Sequence, residues 1–300
     1  MKALVTGGAG FIGSNLVDEL IKQNYDVTII DNLSTGNKNN LNPAARFIEA
    51  DITNLEQIKP HFKGIDFVFH LAALPRVQES IENPIETHHT NVNGTLNVFL
   101  AAKEAEVRRV VYSASSSAYG NVETLPLTED ILPQPMSPYG LHKYIGEHYA
   151  RLFALLYGIE TVSLRYFNVY GPRMAFTGAY VLVLSVFLQQ KKAGKKLTIT
   201  GDGTQTRDFT YVGDVVRANI LAATSDKVGS GEVMNIGAGD NRSINEVAEM
   251  LGGEVEHIAP RVEPHDTLAD HSKATKLLGW EPQVKFADGL EKTVDWFNRL

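Results

Sequence analysis

The segment "KALVTGGAGFIGS" (2–14) constrains the fold more than any other. An apolar run of strand length ends in Gly7, Gly10 and Gly13, one glycine every third residue, at the opening of an amphipathic helix. Glycine permits a tight turn and close backbone approach, and a helix start leaves amide donors free for a phosphate. A strand, glycine turn and helix in this order form the repeating unit of a parallel sheet covered on both faces. The first half of the chain keeps that rhythm. Strands are expected at 2–6, 26–30, 46–50, 66–70, 108–113 and 161–166, with helices beginning near Phe11, Asn54, Pro84 and Pro138. Proline suits such a start, because the first helical turn needs no amide donor there.

The expected class is therefore α/β: a doubly wound parallel sheet of Rossmann type, with a smaller C-terminal α/β lobe for a substrate. After Tyr166 the rhythm loosens into strands at 196–200 and 207–211 and helices near 179–192, 213–225, 243–251 and 286–299. The expected division is 1–167 for the nucleotide domain, with returns near 208–236, and 168–300 mainly for the smaller lobe. No internal repeat or low-complexity segment interrupts it. The connection 114–137, with Pro126, Pro133 and Pro135, is longer than ordinary filler, which points to a functional loop.

The second strand ends in Asp31, eighteen residues past Gly13. An acid at a strand end can simply be solvated; after a glycine turn it is placed to accept the ribose hydroxyls of an adenosine. No Arg or Lys follows until Lys38, so a 2′-phosphate lacks an obvious partner and NAD is favoured over NADP. Asp51 and Ile52 in "ADI" are expected beside the adenine, and Leu71, Ala72 and Ala73 in "HLAAL" beneath the cofactor.

Tyr139 and Lys143 stand four residues apart on an expected helix, hence on one face. An ammonium there favours the phenolate, and a tyrosine so tuned can take a proton from an alcohol while hydride leaves its carbon. Such spacing also arises by chance beside an ordinary exposed lysine. Its position after the fifth strand, downstream of "SASSSAYG" (113–120), gives it weight.

Composition removes other classes. Net charge is −7 with no basic cluster, which argues against nucleic acid. With no cysteine there is no disulfide, thiolate metal site or cysteine nucleophile, and no metal site is expected. "MKALVTGG" lacks the features of a signal peptide, and "GAYVLVLSVFLQQ" falls short of the roughly 20 residues of a membrane span. A cytoplasmic protein is expected.

The ordered motifs "TGGAGFIG", "DNLSTG", "HLAA", "NVNGT", "SASSSAYG", "SPYGLHK", "RYFNVYGPR", "GDGTQTRDFTYV" and "NIGAG" resemble those of the extended short-chain dehydrogenase/reductase superfamily across nearly the whole chain. Within it the chain is most similar to UDP-hexose 4-epimerases, including members acting on N-acetylhexosamines. The resemblance implies a catalytic serine at Ser115, an acid/base at Tyr139 and a nicotinamide-ribose contact at Lys143. It places Phe11, Ile12, Asn32, Ser34, Thr35, Gly36, Asn91 and Phe167 near the cofactor. It makes Ser116, Asn168 and Arg207 substrate contacts, with the arginine facing the diphosphate. It also implies a homodimer, through a four-helix bundle built from 85–106 and 138–158. Two positions depart from the pattern. Arg261 sits one residue from where a diphosphate arginine aligns, and Pro75 stands where a cofactor-contacting lysine is frequent, next to Arg76. Thr267 stands where a small residue admits N-acetyl groups.

The serine run separates reactions within the resemblance. Dehydrating relatives carry an Asp-Glu pair after the catalytic hydroxyl, decarboxylating ones a Glu, and C3/C5 epimerases of GDP-sugars a cysteine. Here Ser116 and Ser117 follow Ser115, and Ser117 is expected to support the loop. The resemblance then implies NAD-dependent C4 inversion of a UDP-hexose, UDP-glucose or UDP-GlcNAc. The alternatives are a UDP-glucuronate or UDP-pentose 4-epimerase and a non-catalytic NAD-binding regulator.

Overall fold

Strands that read as continuous apolar runs need cover on both faces, and the helices between them supply it. The computed structural model describes residues 1–176, 182–260 and 264–300. Strands β1 (Lys2–Thr6), β2 (Asp26–Asp31), β3 (Arg46–Glu49), β4 (Phe67–His70), β5 (Arg109–Ser115) and β6 (Glu160–Tyr166) are followed by short β7 (Val169–Tyr170), β8 (Leu197–Thr200), β9 (Thr206–Asp208) and β10 (Thr210–Tyr211). Then come β11 (Ser230–Ile236), β12 (Asn241–Ser243) and β13 (Val255–Ile258). The main sheet is parallel and seven-stranded, in the order β11-β6-β5-β4-β1-β2-β3. Its winding reverses at β1, between β4 and β2, which opens a crevice at the C-terminal ends of the strands.

The helices are α1 (Phe11–Lys22), α2 (Leu55–Ile58), α3 (Val77–Glu82), α4 (Pro84–His88), α5 (Thr95–Glu104), α6 (Pro138–Tyr157), α7 (Val183–Lys192), α8 (Val212–Thr224), α9 (Ile244–Leu251), α10 (Ser272–Leu278) and α11 (Phe286–Phe297). On one face of the sheet Leu16 and Leu20 of α1, Val215 of α8 and Trp280 pack with Val5 and Ile29. On the other, Val98 and Phe99 of α5 and Phe153 of α6 pack with Leu4 and Val68. A third cluster, with Phe187, Ile199, Val247 and Leu290, is the core of the smaller lobe.

α6 carries the Tyr-x-x-x-Lys pair, and its start is well specified. Ser137 caps it by accepting the Gly140 amide, and Pro138 occupies the first turn. At the other end Gly158 adopts the left-handed conformation that closes the helix. Segment 84–104 is helical throughout, with one wide π-helical turn at His89–Gly94 holding Asn91.

The structure corrects one strand. Residues 207–211 do not form a single run but β9 and β10, divided at Phe209, which is buried between Tyr170 and Phe286. The break arises because the Asp208 carboxylate accepts the amides of Ala238, Gly239 and Ala269, which turns β9 toward β12 while β10 pairs with β7. The expected helix near 179–192 is α7, and its first expected residues, 179–181, lie outside the described residues.

Candidate active site

Beyond β1, Gly7 holds φ +74°, and a Cβ there would come 2.7 Å from the Ala72 amide nitrogen. Backbone of the β1 turn thus touches backbone of the β4 turn, which only glycine allows. No side chain caps the start of α1, and Phe11, Ile12 and Gly13 line the cavity that opens there. Their first-turn amides have no partner within the helix, so the cradle suits a pyrophosphate. Asp31 closes the turn by accepting the amides of Ala9 (3.0 Å) and Leu33 (2.8 Å). Burial pushes its acid up, and those two amides pull it back. Asn32, Ser34 and Thr35 continue the wall. These residues fit an adenosine dinucleotide.

The floor is the turn after β4, with Leu71, Ala72 and Ala73 on the cavity wall, followed by Pro75 and Arg76. Ala72 donates its amide to Thr6 Oγ1, which meets His70 Nδ1 at 2.8 Å; His70 Nε2 meets Thr95 Oγ1 at 2.9 Å. Burial lowers His70 to about 3, so the ring stays neutral and serves as a bridge. Asn91 grips this turn from below, accepting the Leu74 amide (2.8 Å) and donating to the Leu74 carbonyl (3.0 Å).

At the end of β5, Ser115 accepts the Ser117 amide and donates to Ser117 Oγ, both at 3.1 Å. All three serines line the cavity, as do Tyr139 and Lys143. Burial pushes the Tyr139 phenol up to about 12, and the neighbouring Ser115 hydroxyl pulls it back. The Tyr139 amide donates to Ser80 Oγ at 3.0 Å, tying α3 to the first turn of α6. Lys143 is buried, donates to the Ser113 carbonyl at 2.7 Å and lies 5.1 Å over the Tyr112 ring. Desolvation lowers its ammonium to about 7, and Glu147 opposes that shift.

Toward the smaller lobe, Asn168 at φ +28° donates to the Asp208 carbonyl (3.1 Å) and lines the cavity. Arg207 lies on the wall with Nη1 anchored on the carbonyls of Thr206 (2.8 Å) and His265 (2.9 Å). The cavity, about 650 Å³, thus joins the glycine cradle, the serine turn and the smaller lobe. Segment 120–136 is tied to the chain near 268–270, since Leu127 donates to the Leu268 carbonyl and accepts the Asp270 amide.

Five expected site residues stand behind the wall. Gly36 packs on Asp31 and Ala9, and Asp51 accepts from Thr53 and Asn32. Asn91 holds Leu74, Phe167 is fully buried against Tyr119, and Thr267 accepts the Asp208 amide. Arg261 lies outside the described residues. Thr198, Thr200, Phe209, Ile244 and Ile258 line the far end without having been singled out in sequence. They belong to ordinary apolar or strand runs, and only the fold gathers them.

A glycine cradle and a Ser-Tyr-Lys set in the walls of one cavity define a dinucleotide-dependent enzyme acting on an alcohol carbon. The chain belongs to the NAD dependent epimerase/dehydratase family, whose model matches residues 3–237. It is 40% identical to the UDP-glucose 4-epimerase of Thermotoga maritima solved with UDP-glucose, covering 100% of this chain and 99% of that one, with a TM-score of 0.96. It is 37% identical to the UDP-N-acetylglucosamine 4-epimerase of Methanobrevibacter ruminantium solved with UDP-N-acetylmuramic acid (99% and 98% covered, TM-score 0.94). The UDP-glucuronic acid 4-epimerase of Bacillus cereus, solved with UDP-glucuronic acid and NAD, is also 37% identical (100% and 99% covered, TM-score 0.92). Among the described residues no cluster of acids and histidines could hold a metal ion, and no helix is long and apolar enough to cross a membrane.

Proposed function

We propose that the chain is an NAD-dependent 4-epimerase of UDP-hexoses, inverting C4 of UDP-glucose and its N-acetylated counterpart through a transient 4-keto sugar. One observation carries the reading. Ser115, Tyr139 and Lys143 share the cavity with the glycine cradle, and Asp31 is the only carboxylate among the described residues of its wall. Dehydration or decarboxylation in this family uses an acid beside Ser115, and Ser116 and Ser117 are not acids.

Bound NAD supplies the acceptor for the C4 hydride and gives it back. Tyr139 takes the C4 hydroxyl proton, and Ser115 hydrogen-bonds the same oxygen. Lys143 holds the nicotinamide ribose, and its ammonium favours the phenolate. The keto sugar turns in the cavity, and Tyr139 returns the proton. Arg207 faces the diphosphate by charge-assisted hydrogen bonds, Asn168 and Ser116 face the sugar, and Thr267 leaves room for an N-acetyl group. Gly36, Asp51, Asn91 and Phe167 serve the cofactor by shaping the wall from behind. Residues 1–167, with returns near 208–236, form the NAD domain, and 168–300 mainly the substrate lobe.

The test incubates purified protein with UDP-glucose, UDP-GlcNAc and UDP-glucuronate, without added NAD, and resolves the products. C4 inversion of the first two is expected. Inversion of UDP-glucuronate alone overturns the substrate assignment, and no inversion of any, even with NAD supplied, overturns the reading.

The same reading places the enzyme in the cytoplasm as a homodimer joined through α4–α6. Leu141, Ile145, Leu152 and Leu155 form a stripe along α6 away from the sheet, and Leu155 is 74% exposed. Light scattering should give twice the chain mass for the wild type. Leu155→Glu should give a monomer, since a charge there would be buried in the joint. A monomeric wild type overturns the dimer.

A further inference from the structure

Lys143 is an ammonium candidate in a dry place. The titratable groups around it are His70 from β4, Tyr112 from β5, and Tyr139 and Glu147 from its own helix, and Arg165 from β6 joins them through Glu147. Its neighbour His142 packs instead edge-on against His88, ring centres 5.2 Å apart. Of this group Glu147 alone is a carboxylate. It stands four residues past Lys143, on the same buried face of α6, and is itself 3% exposed.

Arg165 locks that carboxylate with a two-bond fork, Nε to Oε1 at 2.8 Å and Nη2 to Oε2 at 2.7 Å. Its guanidinium also lies 4.5 Å over the ring of Tyr119, four residues past Ser115, whose hydroxyl donates to Asn235 Oδ1 at 2.7 Å. Arg165 Nη1 is buried with no hydrogen-bond acceptor among the described residues, and Glu129 is a second carboxylate whose charge the guanidinium favours. Remove the Glu147 charge and the buried Lys143 loses the carboxylate that favours its ammonium, so the lysine yields its proton more easily.

We propose that Glu147, locked by Arg165, is a positioning residue of the catalytic set, keeping Lys143 an ammonium aimed at the cofactor ribose. Lys143's part in binding NAD comes from the reading given under Proposed function. Burial alone lowers Lys143, and the Glu147 carboxylate raises it. The sign follows: without Glu147 the lysine loses its proton at lower pH, and the alkaline limb of NAD binding moves down.

The test measures NAD affinity by fluorescence titration from acid to alkaline pH, alongside the pH profile of C4 inversion and the melting temperature. For Glu147→Gln the alkaline limb should fall by about one pH unit, costing about tenfold in affinity at the alkaline end, with little change at the acid end. Arg165→Met leaves the carboxylate to Lys143 alone, and its limb should move up. A mere brace between α6 and β6 predicts lower melting temperatures for both variants with limbs unmoved, and that result overturns the proposal. If Glu147→Gln does not fold, Arg165→Met decides by the direction of its shift. The NAD titration needs no sugar, so a wild type that binds NAD but inverts nothing overturns the epimerase reading and leaves this test intact.

Discussion

Tyr139→Phe should yield a folded, NAD-loaded protein whose C4 inversion is slower by about 10²- to 10⁴-fold, the usual share of a general acid/base. The folding part follows from how the residue is held. Its backbone amide donates to Ser80 Oγ, and Ser137 caps the same helical turn, so neither anchor involves the phenol. The phenol neighbours Ser115, which keeps its bonds to Ser117. Loss of the phenol should therefore cost only the ~1 kcal/mol of an ordinary hydrogen bond.

The catalytic part follows from charge. In the protein alone the phenol is pushed up to about 12, so it holds its proton at neutral pH. The Lys143 ammonium and the positive nicotinamide ring of bound NAD both favour the phenolate, which gives an acid/base only in the loaded enzyme. Product analysis at saturating UDP-sugar, with bound nucleotide counted after denaturation, checks both halves. Undiminished turnover would remove Tyr139 from the proton's path, and loss of NAD with turnover would make it a binding residue.

What the sequence shows and what it hides divide by the range of the interactions involved. The glycine turn, the Tyr139–Lys143 pair and the serine run are local patterns, and periodicity or spacing exposes them. The six strands from β1 to β6 were readable because each is a short apolar run between turns. β11 was not: "SGEVMNI" carries Glu232, whose carboxylate takes the amides of Gly229 and Ser230, and Asn235, which bonds Tyr119 and Leu127. The same holds for the site. Asn91 reaches its role by gripping Leu74, Ser80 by receiving the Tyr139 amide, and Glu147 by meeting Arg165. Each depends on elements brought together by the sheet order, and no spacing in one segment reports it.

Gly13→Ala should give a protein that purifies without NAD. A Cβ at Gly13 would lie 2.1 Å from the Gly7 carbonyl oxygen, 2.9 Å from its carbon and 3.0 Å from Gly8 Cα. All three are backbone atoms, so no side chain can swing aside, and contact distance requires the start of α1 to move by about 1 Å or more. The helix cannot retreat easily, because Leu16, Val17 and Leu20 on the same element are fully buried. Overpacking of this kind costs about 1–3 kcal/mol and carries the first-turn amides away from where a pyrophosphate needs them. Stability and binding therefore fall together, and a control must separate them. Gly279→Ala supplies it: φ is +64°, nothing lies within 4 Å of the added carbon, and the site is remote from the cradle at the end of α10. It should lower the melting temperature through left-handed strain of about 1 kcal/mol or more while NAD stays bound. Nucleotide released on denaturation, per chain, is the measure. Full NAD occupancy in Gly13→Ala would mean that the cradle tolerates a displaced helix and that the pyrophosphate is held from elsewhere.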